Sequence, residues 1–327
     1  MKKILNYLRI WGNDYTPQIY ISRMLGYTLA VLYFIGSFGN KESTRKFNRE
    51  RNYFVSKRGQ LIKQHNKPED DAFDALYLKN DRYDFRGIFL PQIENTHLMR
   101  MVYADTLKVY TEKNDDYDYR IVDEIDKIIP EGTYCYVGLD GENILVKPGD
   151  VVIDAGAWIG DFSAYASKKG AHAYAFEPSP SNIKLLEKTI EYNKGNGGEI
   201  TIVPFGLGEK EETLEFFENK DSDNTGGNSF NIGAGKGNTR LDITTVDSWV
   251  ERNNIHKVDF IKADIEGYER FMLKGARKTL REHSPILSIC TYHFPEDPQV
   301  LKDIILEANP LYKIIQRKMK LFAYIPK

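Results

Sequence analysis

Four short stretches of this 327-residue chain gather side chains that could do chemistry together. VVIDAGAWIG is a β-branched run that ends in Asp154 and leads into Gly156 and Gly160. HAYAFEP, the next apolar run, ends in Glu177 and Pro178. VDFIKADIEG carries Asp264 and Glu266 at its end, and PILSICTYH is closed by His293. A carboxylate or an imidazole at a strand end can take up a proton from a bound hydroxyl. Glycines at such a place let a ligand come close to the main chain.

The spacing in the first stretch restricts the ligand. A dinucleotide requires G-x-G-x-x-G, because main-chain amides must approach a doubly charged pyrophosphate. Counted from Gly156, the two further glycines fall on Trp158 and Asp161, whose bulk and charge oppose a pyrophosphate. The triphosphate pattern G-x-x-x-x-G-K-[ST] is absent as well, since a glycine follows Lys236 in GAGKGN. D-x-G-x-x-x-G suits instead a ligand with an amine-bearing, positive end and no phosphate. Asp154 can meet an ammonium, directly or through water, Gly156 lets the chain pass close, and Ala157 and Trp158 complete the turn. Glu177, with Pro178 behind it, is placed to accept hydrogen bonds from both hydroxyls of a ribose. S-adenosylmethionine combines an amino-acid tail, a sulfonium and an unphosphorylated ribose. Phe205 and Gly206, after the third strand-like run, are expected to border its adenine, although Phe205 could equally be core.

A reaction at a bound hydroxyl would need alignment, exclusion of water and a base. Asp264 and Glu266 stand two residues apart at a strand end, so both can face one cleft. Asp264 is the first candidate for base or substrate orienter, and His293, with an ordinary pKa of about 6.5, is the second. Glu266 could instead complement a helix dipole, as Glu269 would in the helix that follows. The set could also hold a divalent metal, but no H-x-x-H-like spacing supports one and none is expected.

The elements that must position these residues are legible in the alternation of patterns. From Lys147 onward, strand-like runs alternate with amphipathic helical ones such as residues 180–193, with Ile183, Leu186 and Ile190 on one face. That grammar predicts a doubly wound α/β domain with a mostly parallel sheet. The tail YKIIQRKMKLFAYIP predicts a closing hairpin. Between the third and fourth strands, TLEFFE has strand character, and the polar, Gly-rich residues 220–240 are expected to be a mobile substrate-side flap. Residues 1–120 form a mostly helical N-terminal region for acceptor or partner binding, ahead of a catalytic domain at 121–327. Within it, residues 24–40 carry no charge but fall short of the about 20 residues of a membrane span, so a buried or interfacial helix is expected. The charged residues 41–60 read as a solvated face, and Tyr20, Tyr27 and Tyr33 as packing. Forty-five Lys and Arg against 47 Asp and Glu give a net charge of -2, which excludes the basic field of a general nucleic-acid binder. Cys135 and Cys290 lie too far apart in sequence to suggest a disulfide framework, and a cytoplasmic setting is the default.

VVIDAGAWIGDFSAYASKKGAHAYAFEPSPSNIKLLEKTI and VDFIKADIEGYERFMLKGA resemble the two signature blocks of the FkbM-type methyltransferase family, a branch of the class I S-adenosylmethionine-dependent methyltransferases. The D-x-E-G-x-E block followed by K-G-A is the more specific part, and the likeness runs from about Lys147 to Ile325. Trp158 stands where the family pattern leads one to expect a small polar residue. The resemblance implies a Rossmann-like, seven-stranded, mostly parallel sheet, S-adenosylmethionine as cofactor, and O-methylation, most often of a sugar hydroxyl on a natural product or surface polysaccharide. Two other readings stay open: a non-catalytic nucleoside-binding or partner module on the same fold, and methylation of a lipid-linked or protein acceptor with the N-terminal region touching a membrane. A homo-oligomer is a further alternative.

Overall fold

The structure, a computed structural model, describes residues 67–68, 70–103, 106, 134–137, 143–216, 239–317 and 319–326. The apolar run at 24–40, the charged run at 41–60, Tyr20, Tyr27, Tyr33 and nearly all of the Gly-rich flap lie outside the described residues. The chain divides into two compact units, Met1–Leu76 and Tyr77–Lys327. Of the first, the described residues 70–76 are helical, as the spacing of Phe73, Leu76 and Tyr77 predicts. No helix among the described residues is long and apolar enough to cross a membrane.

The second unit opens with a feature absent from the sequence reading. Strands β1 (Leu78–Lys79), β2 (Arg82–Phe85) and β3 (Ile88–Pro91) form a small antiparallel sheet inside the region expected to be mostly helical. Helix α1 (Thr96–Val102) follows, capped by the Asn95 side chain, which accepts from the Leu98 N–H. A two-strand ribbon comes next, β4 (Tyr136–Val137) against β5 (Asn143–Ile144).

The main sheet is built from β6 (Val151–Ala155), β7 (His172–Phe176), β8 (Glu199–Val203), β12 (Phe260–Ala263), β13 (Ile286–Cys290), β14 (Lys313–Arg317) and β15 (Lys320–Tyr324). Their spatial order is β14-β15-β13-β12-β6-β7-β8. All neighbours from β8 to β13 are parallel, and β15 joins β13 antiparallel, hairpin-paired to β14 as the tail pattern predicts. Strands covered by helices on both faces read as continuous apolar runs, and β12 accordingly is buried at every position. Between the strands run α2 (Asp161–Lys168) and α3 (Pro180–Tyr192), then α4 (Val246–Arg252), α5 (Glu269–Lys274), α6 (Arg277–Glu282) and α7 (Asp297–Ala308). The expected face of α3 is buried: Leu186 is fully covered beside Ala157 and Ala175, with Ile190 packed against them. The larger core unites Ile153, Ile261, Ala263 and Leu287 of the sheet with Trp249, Met272, Leu273 and Leu301 of the helices.

Two details differ from the sequence pattern. The stretch YERFMLKGARKTL, one helix by periodicity, is two: the first ends at its C-cap Gly275, where any Cβ would collide with the Gly208 carbonyl, and Ala276 caps the second. The TLEFFE strand is present as β10 (Glu212–Phe216), and its partner β11 (Thr239–Thr244), paired in turn with β9 (Gly206–Leu207), occupies residues just ahead of the Thr245-capped α4.

Several side chains fasten the hairpin to the end of α3, among them Tyr192, which donates to Asp81, and Asn196, which donates to the Gly87 carbonyl, and one of them makes most of the main-chain contacts. Asn193, at the helix C-cap, accepts from the Phe89 N–H at 3.0 Å and donates to the Phe89 carbonyl at 2.6 Å and the Thr189 carbonyl at 2.7 Å. Truncating it leaves two main-chain groups of β3 without partners. Asn193→Ala is therefore expected to cost about 1–3 kcal/mol of stability, read as a lowered urea midpoint with an unchanged denaturant slope.

Candidate active site

The order of strands reverses between β6 and β12, and ligands of open parallel sheets bind outside the carboxyl ends of the strands at such a point. Here the two chains nearly touch. Gly156 has φ +72°, and a Cβ on it would collide with the main-chain carbonyl of Asp264. Only glycine permits that approach. The amides of Gly156 and Ala157 both donate to the Phe176 carbonyl at 3.0 Å, tying the turn to β7. Trp158 follows with φ +48°, a left-handed conformation that costs a non-glycine residue roughly 1–2 kcal/mol. A small polar residue would tolerate it better, which gives the departure noted at this position a physical meaning. Gly160 then forms the N-cap of α2.

Glu177 closes the turn from the far side. Its carboxylate accepts from the Trp158 N–H at 2.9 Å, the Ser179 N–H at 2.9 Å and the Asn182 side chain at 3.2 Å. Burial pushes its pKa up to about 7, against these three donors, which pull it down. A carboxylate offers about four lone-pair sites. Three are taken among the described residues, which leaves one site, on Oε2. Pro178 is half-buried beside it, and Phe205, packed against the main core, shares the Val203 carbonyl with Glu177: both main-chain amides donate to it. Gly206 is buried in β9.

Asp154 is fully buried, and its neighbours are internal. Ser163 donates to Oδ2 at 2.7 Å, and the Lys262 ammonium lies 3.0 Å from Oδ1. Asp161 is buried alongside, accepting from the Thr106 hydroxyl at 2.7 Å, and burial raises its pKa to about 6. Burial alone would discharge Lys262, but Asp154, Asp161 and Asp264 around it hold its proton above the ordinary ammonium range.

On the β12 side the three expected residues do meet. His293 Nε2 lies 3.7 Å from Asp264 Oδ1 and 3.6 Å from Glu266 Oε2, and Nδ1 lies 3.2 Å from Glu269 Oε1. Glu266 takes φ +56°, and with Gly267 it turns the chain sharply into α5. That turn swings Glu269 under the imidazole, where it also accepts from the Ile265 N–H at 2.8 Å. Asp264 is flanked by two phenols: Tyr134 donates to Oδ2 at 2.9 Å and Tyr292 to Oδ1 at 2.8 Å. Against burial, which raises it, Lys262, His293, Lys320 and the Tyr292 hydroxyl hold the Asp264 pKa below the usual carboxylate range. His293 moves the other way. Burial would lower its pKa, yet Glu266, Glu269 and Asp264 raise it to about 10.

Asp264, Glu269 and His293 offer one ligand atom each within 4.8 Å of one another, and such a set could accept a divalent cation. Both Asp264 oxygens and one Glu269 oxygen already accept from protein donors, so a cation would compete with these and with the imidazole proton.

Sequence reasoning did not single out Lys262, Ser163, Tyr134 or Tyr292, and it placed Glu269 on a helix dipole only. Lys262 carried a signal, a lone cation inside the apolar FIKA run. The tyrosines carried none among 21.

The His293 cluster has a measurable sign. A histidine with a folded pKa of about 10 and an ordinary one of 6.5 contributes stability that is fully present below pH 6.5 and lost as pH rises through about 10. In an NMR titration the imidazole should stay protonated through neutrality. The stability gap between the native chain and His293→Gln should shrink between pH 6.5 and 10. An imidazole titrating at its ordinary value would refute this.

Comparison with known proteins places the arrangement. Residues 154–319 match the family model for the methyltransferase FkbM domain. The hexuronic acid methyltransferase AglP of Haloferax volcanii is 26% identical over 162 residues, which cover 49% of this chain and 63% of that protein. A crystal structure of a methyltransferase FkbM from Methylobacillus flagellatus KT aligns with a TM-score of 0.44 and 20% identity, over 80% of this chain and 60% of the other. Aeropyrum pernix fibrillarin, solved with natively bound S-adenosyl-L-methionine, aligns with a TM-score of 0.34 and 11% identity, over 55% of this chain and 68% of that one. The chain thus spans less than two thirds of both the Haloferax and the Methylobacillus proteins. The family match begins at Asp154 and ends at Met319, taking in the glycine turn and the acidic strand end alike, and the chain belongs to the FkbM methyltransferase family.

Proposed function

We propose that this chain is an S-adenosylmethionine-dependent O-methyltransferase whose acceptor is a hydroxyl of a sugar or glycan-like molecule. The observation that carries the reading is the abutment of the Gly156 turn on the Asp264 carbonyl, which sets a glycine-lined nucleoside cradle beside an anionic strand end. The sugar follows from the relative named as a hexuronic acid methyltransferase.

S-adenosylmethionine would supply an activated methyl group on a sulfonium, transferred in line to the acceptor oxygen. The residues that would hold it are Asp154, Gly156, Ala157, Trp158, Gly160, Glu177, Pro178, Phe205 and Gly206. Glu177 receives a ribose hydroxyl on its remaining lone pair. Asp154 acts toward the amino end through the turn, since its own carboxylate faces Lys262. Asp264 stays anionic at neutral pH, orients the acceptor hydroxyl and takes its proton as the methyl arrives. Tyr134 and Tyr292 fix the plane of that carboxylate. His293, protonated at neutrality, leaves the role of base to Asp264 and balances its charge. Glu266, one-third exposed, lines the acceptor side. Proton removal by Asp264 in this scheme needs no metal. Residues 1–120 would contribute acceptor or partner contacts, in a cytoplasmic protein without a nucleic-acid partner.

Asp264→Asn keeps the shape and one donated phenol bond, the other phenol having to accept from the new amide NH2, and cannot accept the proton. Turnover is expected to fall by about 10²- to 10⁴-fold, with S-adenosylmethionine affinity nearly unchanged. Calorimetry measures the second quantity. Mass spectrometry of hexose- and uronate-containing glycans, scored for the gain of one methylene, measures the first. Full activity in the variant would remove Asp264 from the mechanism, and a native chain that binds no S-adenosylmethionine would remove the reading.

Glu177 gives a pH test. Its ionised form accepts from a ribose hydroxyl, and its pKa is about 7, so affinity for S-adenosylmethionine should rise from pH 6 to pH 8. Glu177→Gln should bind weakly and show a flat profile over the same range.

A further inference from the structure

Lys262 belongs to β12, yet most of its contacts lie on the neighbouring strand. Its ammonium donates to the Gly156 carbonyl at 2.8 Å and to the Ala155 carbonyl at 3.5 Å, and it pairs with Asp154 at 3.0 Å. Three consecutive residues of the glycine turn are thus held from the opposite side of the switch point by one side chain, which is only 5% exposed. The ammonium also lies 5.3 Å above the ring of Tyr134, whose hydroxyl holds Asp264. One cation therefore touches the cradle and reaches, through one phenol, the carboxylate on the acceptor side.

A solvated lysine would not be found here. Removing an ammonium from water costs several kcal/mol unless geometry and hydrogen bonding compensate, and an apolar pair of similar volume often serves stability as well. Parallel pairing of Asp154 with Lys262 and of Ala155 with Ala263 already fixes the strands up to their tips. Beyond the tips the Asp264 amide still donates to the Ala155 carbonyl and the Gly156 and Ala157 amides to the Phe176 carbonyl, but the left-handed Gly156 leaves its own carbonyl turned toward β12. The amides hold the turn from the β7 side, and the two lysine contacts to main-chain carbonyls hold it from the β12 side.

Resting on the reading of the site as a methyltransferase, we infer that Lys262 is a positioning residue that sets the distance between the cofactor turn and the acceptor carboxylate. It touches neither the cofactor nor the acceptor. Methyl transfer in line tolerates little misplacement, and a shift of about 1 Å costs about a hundredfold in rate. The clamp therefore shows in cofactor affinity and turnover more than in stability.

The test uses the full chain and removes both buried charges together. Lys262→Met combined with Asp154→Asn replaces the ion pair by groups of similar size. Asp154→Asn alone is measured beside it, because Asp154 is itself assigned to the cofactor. The double variant is expected to unfold near the native midpoint, to bind S-adenosylmethionine at least about tenfold more weakly than Asp154→Asn in calorimetry, and to turn over about a hundredfold more slowly than the native chain with acceptor KM little changed. Equal affinity of the two variants overturns the clamp. If the double variant does not fold, Lys262→Arg takes over the test. It keeps the charge, but its larger planar head displaces the Gly156 carbonyl, and the same loss of cofactor affinity is expected. A folded variant of either kind that binds S-adenosylmethionine as tightly as the native chain overturns the clamp alone. Absence of binding by the native chain overturns the functional reading beneath it.

Discussion

A buried ammonium shared by carboxylates from two strands is the constraint that the upper end of the sheet must satisfy. Lys262 faces Asp154 directly and feels Asp161 and Asp264 as further charges. None of these groups could be buried alone at tolerable cost. Together they impose a geometry, because each carboxylate must stay within reach of the cation and keep its remaining lone pairs occupied. Ser163 and Thr106 do that for Asp154 and Asp161, and Tyr134 and Tyr292 for Asp264. The hydroxyls are as necessary as the charges, since a half-satisfied network in a low-dielectric interior is worse than an apolar core.

Backbone strain gathers at the same end. Trp158 and Glu266, both non-glycine residues with positive φ, flank the junction of β6 and β12 on either side. Each is held by what surrounds it: the Trp158 amide by Glu177, and the Glu266 turn by the contact of Glu269 with the Ile265 amide. Conformations of this kind persist only where neighbouring contacts over-determine them. In both turns the fastening group is a buried glutamate. The strain and the buried acids are one arrangement, in which a carboxylate holds a main-chain amide beyond the strand tips.

How far the sequence discloses this depends on the range of each interaction. Strands β6, β12 and β13 announce themselves because burial on both faces forces apolar runs broken by a single polar residue each, Asp154, Lys262 and Ser288, and α3 does so through Ile183, Leu186 and Ile190. Asp264, Glu266 and His293 are legible as a group because each ends a strand-like run, and parallel order brings such ends together. The hairpin at 78–91 is not legible. Its strands have two to four residues, too few for alternation to be recognised, and its stability comes from Asn193 and Asn196, more than a hundred residues away. The break in YERFMLKGARKTL likewise falls where Gly275 meets Gly208, a partner distant in sequence. Lys262 shows the limit most clearly. A lysine within an apolar run signals an unusual burial, but the partners that explain it lie across the strand-order reversal, and local pattern holds no record of them.

Four buried or half-buried acids of one region acquire different proton affinities, and the difference tracks cations rather than depth. Glu177 is held mainly by neutral amides, and burial carries its pKa to about 7. Asp161, with Lys262 near but Asp154 as a like-charged neighbour, is carried to about 6. Glu269 is raised too, although His293 offsets part of the shift. Asp264 alone goes down, because Lys262, His293 and Lys320 all act on it. Pairs of titratable groups whose surroundings push their pKa values apart divide the work of a site between them. The acid that titrates near neutrality stands against the glycine turn from the end of β7, and the acid held ionised ends β12. A permanently ionised carboxylate is a weak base in water. In the proposed transfer the hydroxyl would become acidic only as the methyl arrives, so weak basicity would suffice, since the proton need move only when the oxygen has begun to lose its electron pair to carbon.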